Sequence, residues 1–388
     1  MSRNIFFLSE DYVNCILPYI NPGMIICLLL VNKNCLKAWK KLGSSIRSNS
    51  SLFHASIIMA EWASTMGCAI TATMAASVGS LEVLKFIRNK DPDKLWNHKI
   101  CSKAALGGHL HIIQWVRSQD PPCPWSEWTC REAAQGGHLE VLQWVRSQDP
   151  PCPWSADCCH GAAREGHLTV LQWVRSQSPP CPWNEWTCTL AAQYNHLHVL
   201  QWLRSQSSSC PCPWGIWTCR EAAKRGNLEV LQWLRGQDPP CPWDSRAFSE
   251  AVVGGHLSVL HWMQRVTPSC PWNAWSCLEA VEKEDLQLLQ WLRSHDPPCP
   301  WDERTCHRAA RYGNMTILKW VRSQVPPCPW NKWTCMAAAE EGRLVVLQWL
   351  LAQTPPCPYD WNLLIAARQS GHIELINWVK LNINFNLH

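Results

Sequence analysis

The sequence has few of the common aromatic residues. It contains 5 Tyr and 6 Phe in 388 residues, beside 27 Trp, 23 Cys and 28 Pro. Drift in composition does not favour indole over phenyl so strongly, whereas a repeated unit that contains Trp does. The scarcity of Tyr and Phe therefore predicts an internal repeat.

Long apolar runs and charge blocks are also missing. The stretch 24–31 is far shorter than the roughly 20 residues that a membrane-spanning helix needs. Glu10 and Asp11 interrupt the apolar core that a secretion signal would require. The formal charge of +5 is dispersed rather than clustered, which disfavours nucleic acid as a partner. We expect a soluble intracellular monomer, in the cytoplasm, with no membrane segment.

Signatures of enzymes and metal sites are absent. No G-x-x-x-x-G-K-[ST], G-x-G-x-x-G or G-x-S-x-G pattern occurs. Cysteines pair at a spacing of seven residues, not at the C-x₂₋₄-C spacing of structural zinc sites. Their odd number and the missing export signal disfavour disulfides. A Cys–His catalytic pair stays open, although it would recur seven times. We predict a non-enzymatic protein without metal or cofactor.

A loop centred on Cys-Pro-Trp recurs along most of the chain. Successive loop cysteines lie 29 residues apart, with one interval of 31. They are Cys123, Cys152, Cys181, Cys212, Cys241, Cys270, Cys299, Cys328 and Cys357. A fixed period of this size is typical of a stacked repeat array. The period predicts about eleven units from near residue 70 to the end.

Residues 129–158 can be interpreted as one unit of two short helices. Thr129 is the predicted N-cap of the first helix, with Glu132 completing a capping box and Trp128 at N′. Gly137 is predicted to end that helix in a left-handed conformation. Arg146, near the end of the second helix, suits the helix dipole, and the prolines that follow stop the helix. Glu284 stands where other units have Gly or Asn, so we expect strain or a remodelled turn there.

One tryptophan per unit lies on the second helix. A buried Trp removes roughly 150–250 Å² from water, so we predict that these residues form a buried structural ladder along the stack. Its members are Trp115, Trp144, Trp173, Trp202, Trp233, Trp291, Trp320 and Trp349. The Cys-Pro-Trp loop is most simply interpreted as a structural joint.

The string "AAQGGHLEVLQWV" resembles the middle of an ankyrin repeat, A-A-x-x-G-H-x-x-V-V-x-x-L-L. The matching positions are Ala133, Ala134, Gly137, His138, Leu139, Val141 and Leu142. The unit is shorter than the usual ~33 residues, and "WTCR" replaces T-P-L-H, so the β-hairpin fingers are expected to be short or absent. Similar Cys-Pro-Trp arrays are found in protists and large DNA viruses, which would place a viral protein in the host cytoplasm. The resemblance implies an all-α fold, an α-solenoid of about eleven ankyrin-like helix-turn-helix repeats.

Residues 8–39 are similar to an F-box, a small helical domain. The best matches are Leu8, Ile16, Leu17, Ile25, Leu28 and Val31; Ser9 and Asn32 depart from the usual proline and cysteine. The resemblance implies docking on the Skp-type subunit of a cullin ubiquitin ligase. The alternative is a helical cap that shields the first repeat. The predicted domains are 1–43 (F-box-like), 44–69 (linker and first-repeat cap) and 70–388 (repeats).

Exposed positions of the first helix vary between units while framework positions stay fixed. In ankyrin-like proteins this surface and the loop tips form the concave binding face. We therefore predict that a partner protein, whose identity is unknown, contacts Arg131, Arg164, Tyr194, Arg220, Lys224 and Arg311. Neutral variation of a solvated face is the alternative. The predicted function is a substrate adaptor of a ubiquitin ligase; the alternative is an ankyrin-repeat scaffold or decoy with no ligase link.

Overall fold

The computed structural model describes residues 71–91, 96–206 and 211–383. The predicted F-box-like domain and the linker that follows it lie outside these residues. The chain divides into two compact units. The first unit comprises Met1–Thr187 and Gln201–Cys212, and the second comprises Cys188–Leu200 and Pro213–His388.

The described residues form 22 helices in eleven pairs and contain no strand. In the first unit the helices are α1 (Ala72–Ser77), α2 (Leu81–Lys90), α3 (His98–Leu106), α4 (Leu110–Arg117), α5 (Glu127–Gln135), α6 (Leu139–Ser147), α7 (Ala156–Glu165) and α8 (Leu168–Ser176). The division between the units runs through the fifth pair, α9 (Glu185–Gln193) and α10 (Leu197–Ser205).

The second unit continues the same pattern to the C-terminal repeat. Its helices are α11 (Ile216–Arg225), α12 (Leu228–Arg235), α13 (Ser245–Gly254), α14 (Leu257–Arg265), α15 (Ala274–Glu282), α16 (Leu286–Arg293), α17 (Glu303–Tyr312), α18 (Met315–Ser323), α19 (Lys332–Glu340), α20 (Leu344–Leu351), α21 (Asn362–Ser370) and α22 (Ile373–Asn382). The predicted all-helical repeat fold is confirmed. No β-hairpin finger occurs among the described residues.

Small side chains hold the first helices of neighbouring pairs together. Within each unit these odd-numbered helices pack on one another in chain order, as an α-solenoid requires. In α5, Cys130, Ala133 and Ala134 are fully buried, and such small residues let helix backbones approach closely. The second helices of neighbouring pairs approach each other less closely. Larger side chains must therefore fill the space between them.

A left-handed residue ends the first helix of each pair, as predicted. Gly137 has φ +74°, and two non-glycine residues adopt the same conformation, Asn195 at +65° and Glu284 at +56°. At Glu284 the turn is kept rather than remodelled. Its backbone N–H donates to Val281 O and that of the next residue to Ala280 O, both at 3.0 Å, which is the pattern of the glycine turns.

A histidine from the following repeat covers this turn. The ring of His167 lies against Gly137, and its Nε2 donates to the carbonyl of Gln135 at 3.1 Å. His109, His138 and His256 make the same contact one repeat away. In the second unit Asn227 replaces the histidine and donates through Nδ2 to Ala192 O at 2.7 Å. The turn of one repeat is thus tied to the next.

The predicted N-terminal cap of the first helix is wrong by three residues. The N-cap of α5 is Ser126, so Thr129 lies at N3, where it is fully buried, and the predicted capping box with Glu132 does not form around it. Trp128 lies in the first turn rather than at N′ and is exposed. The helix begins at Glu127, directly after the loop, so the threonine falls inside the first turn and cannot be the N-cap.

The loop cysteine is a hydrogen-bonding centre. The N–H of Cys152 donates to Val145 O at 3.0 Å, and its carbonyl accepts from Arg146 Nη1 at 2.6 Å and from the Cys130 thiol at 3.8 Å. Its own Sγ donates to the carbonyl of Ser126 at 3.4 Å. Every polar group of a fully buried residue is therefore satisfied. The Cys-Pro-Trp loop is a joint between repeats, as predicted.

The thiol contact recurs throughout the array. The other eight loop cysteines place Sγ 3.3–3.5 Å from the carbonyl of the residue that precedes a first helix. Burial raises the pKa of the Cys270 thiol, which keeps it protonated and able to donate. In the described part of the chain no three His, Cys, Asp or Glu side chains cluster as metal ligands would.

Tryptophans from the loops fill the space between second helices. Trp154 packs edge-on against Trp173 of α8, with ring centroids 6.3 Å apart, and lies beneath the Arg146 guanidinium of α6 at 4.1 Å. Arg146 therefore binds the loop carbonyl and the indole, beyond the dipole interaction expected of it. The same Arg–Trp stacking joins Arg117 to Trp125, Arg175 to Trp183, Arg235 to Trp243, Arg293 to Trp301 and Arg322 to Trp330.

The tryptophan ladder thus differs from the predicted one in composition and burial. Helix tryptophans such as Trp144 contact loop tryptophans such as Trp125, and all eight predicted members are half-buried. The fully buried residues of α6 are instead Val141, Leu142 and Val145. Indole is too large to fit between the closely packed first helices, and it occupies the wider space between the second helices.

Trp291 is an exception among the eight, because histidines take the place of the loop indole. Its ring lies 4.7 Å from His261 and 4.6 Å from His295, centroid to centroid. The loop tryptophan of that repeat, Trp272, packs on Phe248 and on His295 instead. The sequence of this region departs from the other repeats at these places: Phe248 stands where most first helices carry cysteine, and His295 stands where most repeats carry glutamine.

Candidate partner-binding face

In many of the first helices, a side chain at the end of the preceding loop holds the backbone N–H of the second helical residue. Asn273 Oδ1 accepts from the N–H of Trp275 at 3.0 Å, and Asp302 Oδ1 accepts from that of Arg304, also at 3.0 Å. Such caps satisfy backbone donors that the helix itself leaves open. The side chain at this second position therefore starts from a well-held backbone.

Tryptophan occupies this position in five first helices. In the first unit the residues are Trp128 and Trp186, and in the second unit they are Trp217, Trp275 and Trp333. Their exposed fractions lie between 42% and 53%. Arg246 and Arg304 occupy the same position in α13 and α17 and are exposed. In the second unit the five residues alternate as Trp, Arg, Trp, Arg, Trp at intervals of 29 residues, and we name this set the Trp/Arg row.

Cations bound to aspartates hold the exposed indoles of this row. The guanidinium of Arg220 lies 4.6 Å from the Trp217 ring centroid, and it is hydrogen-bonded to both carboxylate oxygens of Asp244, the N-cap of the next repeat. Trp275 carries Arg304 at 4.6 Å, bound to Asp302, and Trp333 carries Lys332 at 5.7 Å, bound to Asp360. An indole fixed in this way loses less rotational freedom when a partner binds it.

The Arg220–Asp244 pair predicts acid-dependent stability. Arg220 holds the pKa of the Asp244 carboxyl below its usual value. A carboxyl with a depressed folded pKa stabilises the fold above the unfolded pKa of about 4, and that contribution is lost as pH falls through the folded pKa. Asp244→Asn keeps an oxygen for the N-cap but removes the charge. We expect its melting temperature to lie below that of the wild type at pH 7, with the difference closing as pH falls below about 3.

Circular dichroism melts across this pH range measure the difference directly. Asp238→Asn, in the exposed loop before the same helix, is the matched control and should leave the melting temperature unchanged. A gap for Asp244→Asn that is equally large at acid and neutral pH would show that the charge does not contribute.

The structure places the predicted contact residues of the first unit beside other charged or aromatic groups. Arg131 stacks on Trp128 at 4.5 Å and so belongs to the support of an exposed indole. The Nε of Arg164 lies 3.4 Å from the Glu165 carboxylate, and both side chains are partly exposed.

In the second unit the predicted residues differ in accessibility. Arg220 is 6% exposed, so it positions Trp217 and Asp244 rather than presenting its own charge. Lys224 and Arg311 are exposed and form ion pairs with acids of the next repeat, at 3.2 Å and 3.1 Å. Tyr194 lies beneath Arg225 at 5.8 Å. Cross-repeat pairs therefore occupy much of the face that sequence reasoning expected to be open.

Sequence reasoning missed the exposed tryptophans. It interpreted Trp128 as part of the helix staple and assigned the contact surface to charged positions. The alternation of Trp and Arg at intervals of 29 residues from Trp217 to Trp333 was the signal available in the sequence.

No helix of the described residues is long and apolar enough to span a membrane. No protein-family model matches the chain, and no curated protein matches it. Among solved structures it is similar to the human ASB11 ankyrin repeat domain, at 15% identity and a TM-score of 0.31, covering 42% of this chain and 81% of that one. It is also similar to the maize pentatricopeptide repeat protein PPR10, at 11% identity and a TM-score of 0.34, covering 97% of this chain and 68% of that one. The similarity to PPR10 in complex with an 18-nt psaJ RNA element has 11% identity and a TM-score of 0.29, and covers 97% of this chain and 66% of that one. The helical-repeat fold described above rests on the helix pairs themselves.

Proposed function

We propose that the chain is a binding protein whose repeat face captures a partner protein. The observation that carries this proposal is the set of exposed indoles at one helix position. In the Trp/Arg row each indole is backed by a cation. Exposed tryptophan is rare on a surface without a binding role, and Trp and Arg dominate binding energy at protein interfaces. Lys224 and Arg311, also on first helices, would meet the partner as ion pairs with acids of the next repeat.

The second part of the proposal concerns residues 1–43. The F-box-like match at Leu8, Ile16, Leu17, Ile25, Leu28 and Val31 supports docking on a Skp-type subunit of a cullin ubiquitin ligase. The chain would then bring its captured partner to the ligase as a substrate adaptor. It contributes binding and proximity and makes no covalent bond itself.

Affinity capture of the full-length chain from cells, followed by mass spectrometry, tests both parts. Trp217→Ala with Trp275→Ala should reduce capture of the partner by roughly tenfold or more while a Skp-type subunit is retained. Ile16→Asp with Leu17→Asp should do the reverse. Val325→Ala removes an apolar side chain that is exposed outside the row and serves as the control that changes neither.

The two parts fail separately. Equal partner capture by wild type and the double tryptophan variant would refute the binding face. Equal recovery of the Skp-type subunit by the wild type and by the Ile16→Asp, Leu17→Asp variant would refute the ligase link. Absence of that subunit from every sample would refute it as well, and the chain would then be a scaffold or decoy.

A further inference from the structure

Arg246 differs from the cations that back the indoles of the Trp/Arg row. Arg220, Arg304 and Lys332 are each bound to an aspartate. The exposed guanidinium of Arg246 forms no ion pair with any residue that the structure describes. It occupies the row position between Trp217 and Trp275, one repeat from each. A full positive charge between two exposed indoles is therefore left for a carboxylate or phosphate from outside the chain.

The spacing of the row indicates which kind of chain fits it. First helices that pack through small residues lie about 8–10 Å apart. A polyproline II helix advances about 3.1 Å per residue and presents every third side chain on one face, a step of roughly 9 Å. Successive side chains on that face would thus meet successive repeats. Prolines dock against indole rings in known proline-rich recognition, and the free carbonyls of the ligand accept from indole N–H groups.

We propose that Trp217, Arg246 and Trp275 bind a partner segment in the polyproline II conformation, with proline over each indole and Asp or Glu between them facing Arg246. This inference rests on the proposed binding function and names the chemistry of the partner. The acidic residue lies three positions from the proline on either side, because each position of the row takes one turn of the ligand. The rigid ligand and the cation-backed indoles both reduce the entropy cost of binding.

Single-stranded nucleic acid is the competing ligand, since bases stack on indoles and phosphates bind arginine. The charges beside the row disfavour it. Asp244, Asp302 and Glu303 lie in or directly before the first turns of α13 and α17. The cations that back the indoles are already neutralised by aspartates. Nucleic acid carries a phosphate at every nucleotide and binds through many unpaired cations, whereas a single carboxylate opposite Arg246 needs only one.

Fluorescence anisotropy with the full-length chain tests the assignment. The probe is a labelled proline-rich peptide with a central glutamate and prolines three residues on either side. We expect saturable binding, and expect the same peptide with lysine in place of glutamate to bind roughly tenfold or more weakly. Arg246→Glu should reverse this preference, and Trp275→Ala should weaken binding by roughly tenfold. Arg265→Glu makes the same charge change on the second helix of the same repeat and should leave binding unchanged.

Three outcomes would overturn the inference: equal binding of the glutamate and lysine peptides, no effect of Arg246→Glu, or displacement of the peptide by a single-stranded oligonucleotide that binds more tightly. If no peptide binds while the double tryptophan variant still loses its captured partner, this inference fails and the proposed function stands. If that variant keeps its partner, the proposed function fails instead.

Discussion

Replacement of Gly137 by alanine is expected to destabilise the first unit by about 2–4 kcal/mol. The new Cβ would lie 2.6 Å from His167 Cε1, so the ring must leave its position and lose its hydrogen bond to Gln135. The left-handed conformation adds about 1–2 kcal/mol for any residue with a Cβ, and the lost bond and packing account for the rest. Urea unfolding followed by circular dichroism measures the change.

Gly255→Ala separates the conformational cost from the steric cost. Gly255 has the same φ of +74°, but the nearest atom to an added Cβ is Lys283 Nζ at 3.9 Å. We expect a cost of about 1–2 kcal/mol for this variant. Combining Gly137→Ala with His167→Asn should recover part of the loss, because Asn227 occupies the equivalent position in another repeat. Equal costs at the two glycines would show that the histidine contact contributes little.

Trp154→Ala is expected to lower the free energy of unfolding by about 3 kcal/mol, because the indole fills the space between α6 and α8. The variant loses the edge contact with Trp173 and the stacking of Arg146, and it leaves a cavity that the widely spaced second helices cannot close by collapsing. Chemical unfolding gives the free energy, and hydrogen exchange should report faster opening in α6 and α8 than in α5.

The control for this prediction is Trp128→Ala in the same unit. Trp128 is exposed rather than wedged between helices, so we expect its removal to cost less than about 1 kcal/mol. Arg146→Lys keeps the charge but loses the planar group that stacks on Trp154 and reaches Cys152 O. We expect it to lower the free energy of unfolding by about 1 kcal/mol. Similar costs for the two tryptophans would contradict the role of the loop indole as a spacer.

The repeat, its helix pairs and its turns were predictable from the sequence because they depend on local chemistry. The 29-residue period, the glycine that needs a positive φ and the prolines that stop a helix act within a few residues of themselves. The turn at Glu284 also depends only on local chemistry, since the backbone N–H groups of Glu284 and Asp285 make the same turn hydrogen bonds as in the glycine turns. Thr129 misled the cap assignment because threonine is a good N-cap. The N-cap position lies one turn earlier, at Ser126 in this helix, and at the equivalent positions Asn273 and Asp302 the side chain makes the capping bond.

The roles of the tryptophans were not predictable in the same way. Each repeat holds up to three indoles with similar local sequence, and only the distance between neighbouring helices decides which is half-buried and which is exposed. The bond from Arg146 to Cys152 recurs in other repeats, but it depends on the path of the loop, which the period alone does not give. Arg220 looked like a surface residue on its helix, yet the aspartate that buries it arrives from the next repeat.

In the proposed binding face, the supported indole of Trp217 is assembled across two modules. The indole of Trp217 comes from one repeat, the carboxylate that steadies its backing cation comes from the following one, and neither repeat contains a complete contact element. Duplication or loss of one module during evolution would therefore create a new junction and change what is bound there. Selection for ligand preference must act on adjoining pairs of modules, not on single modules.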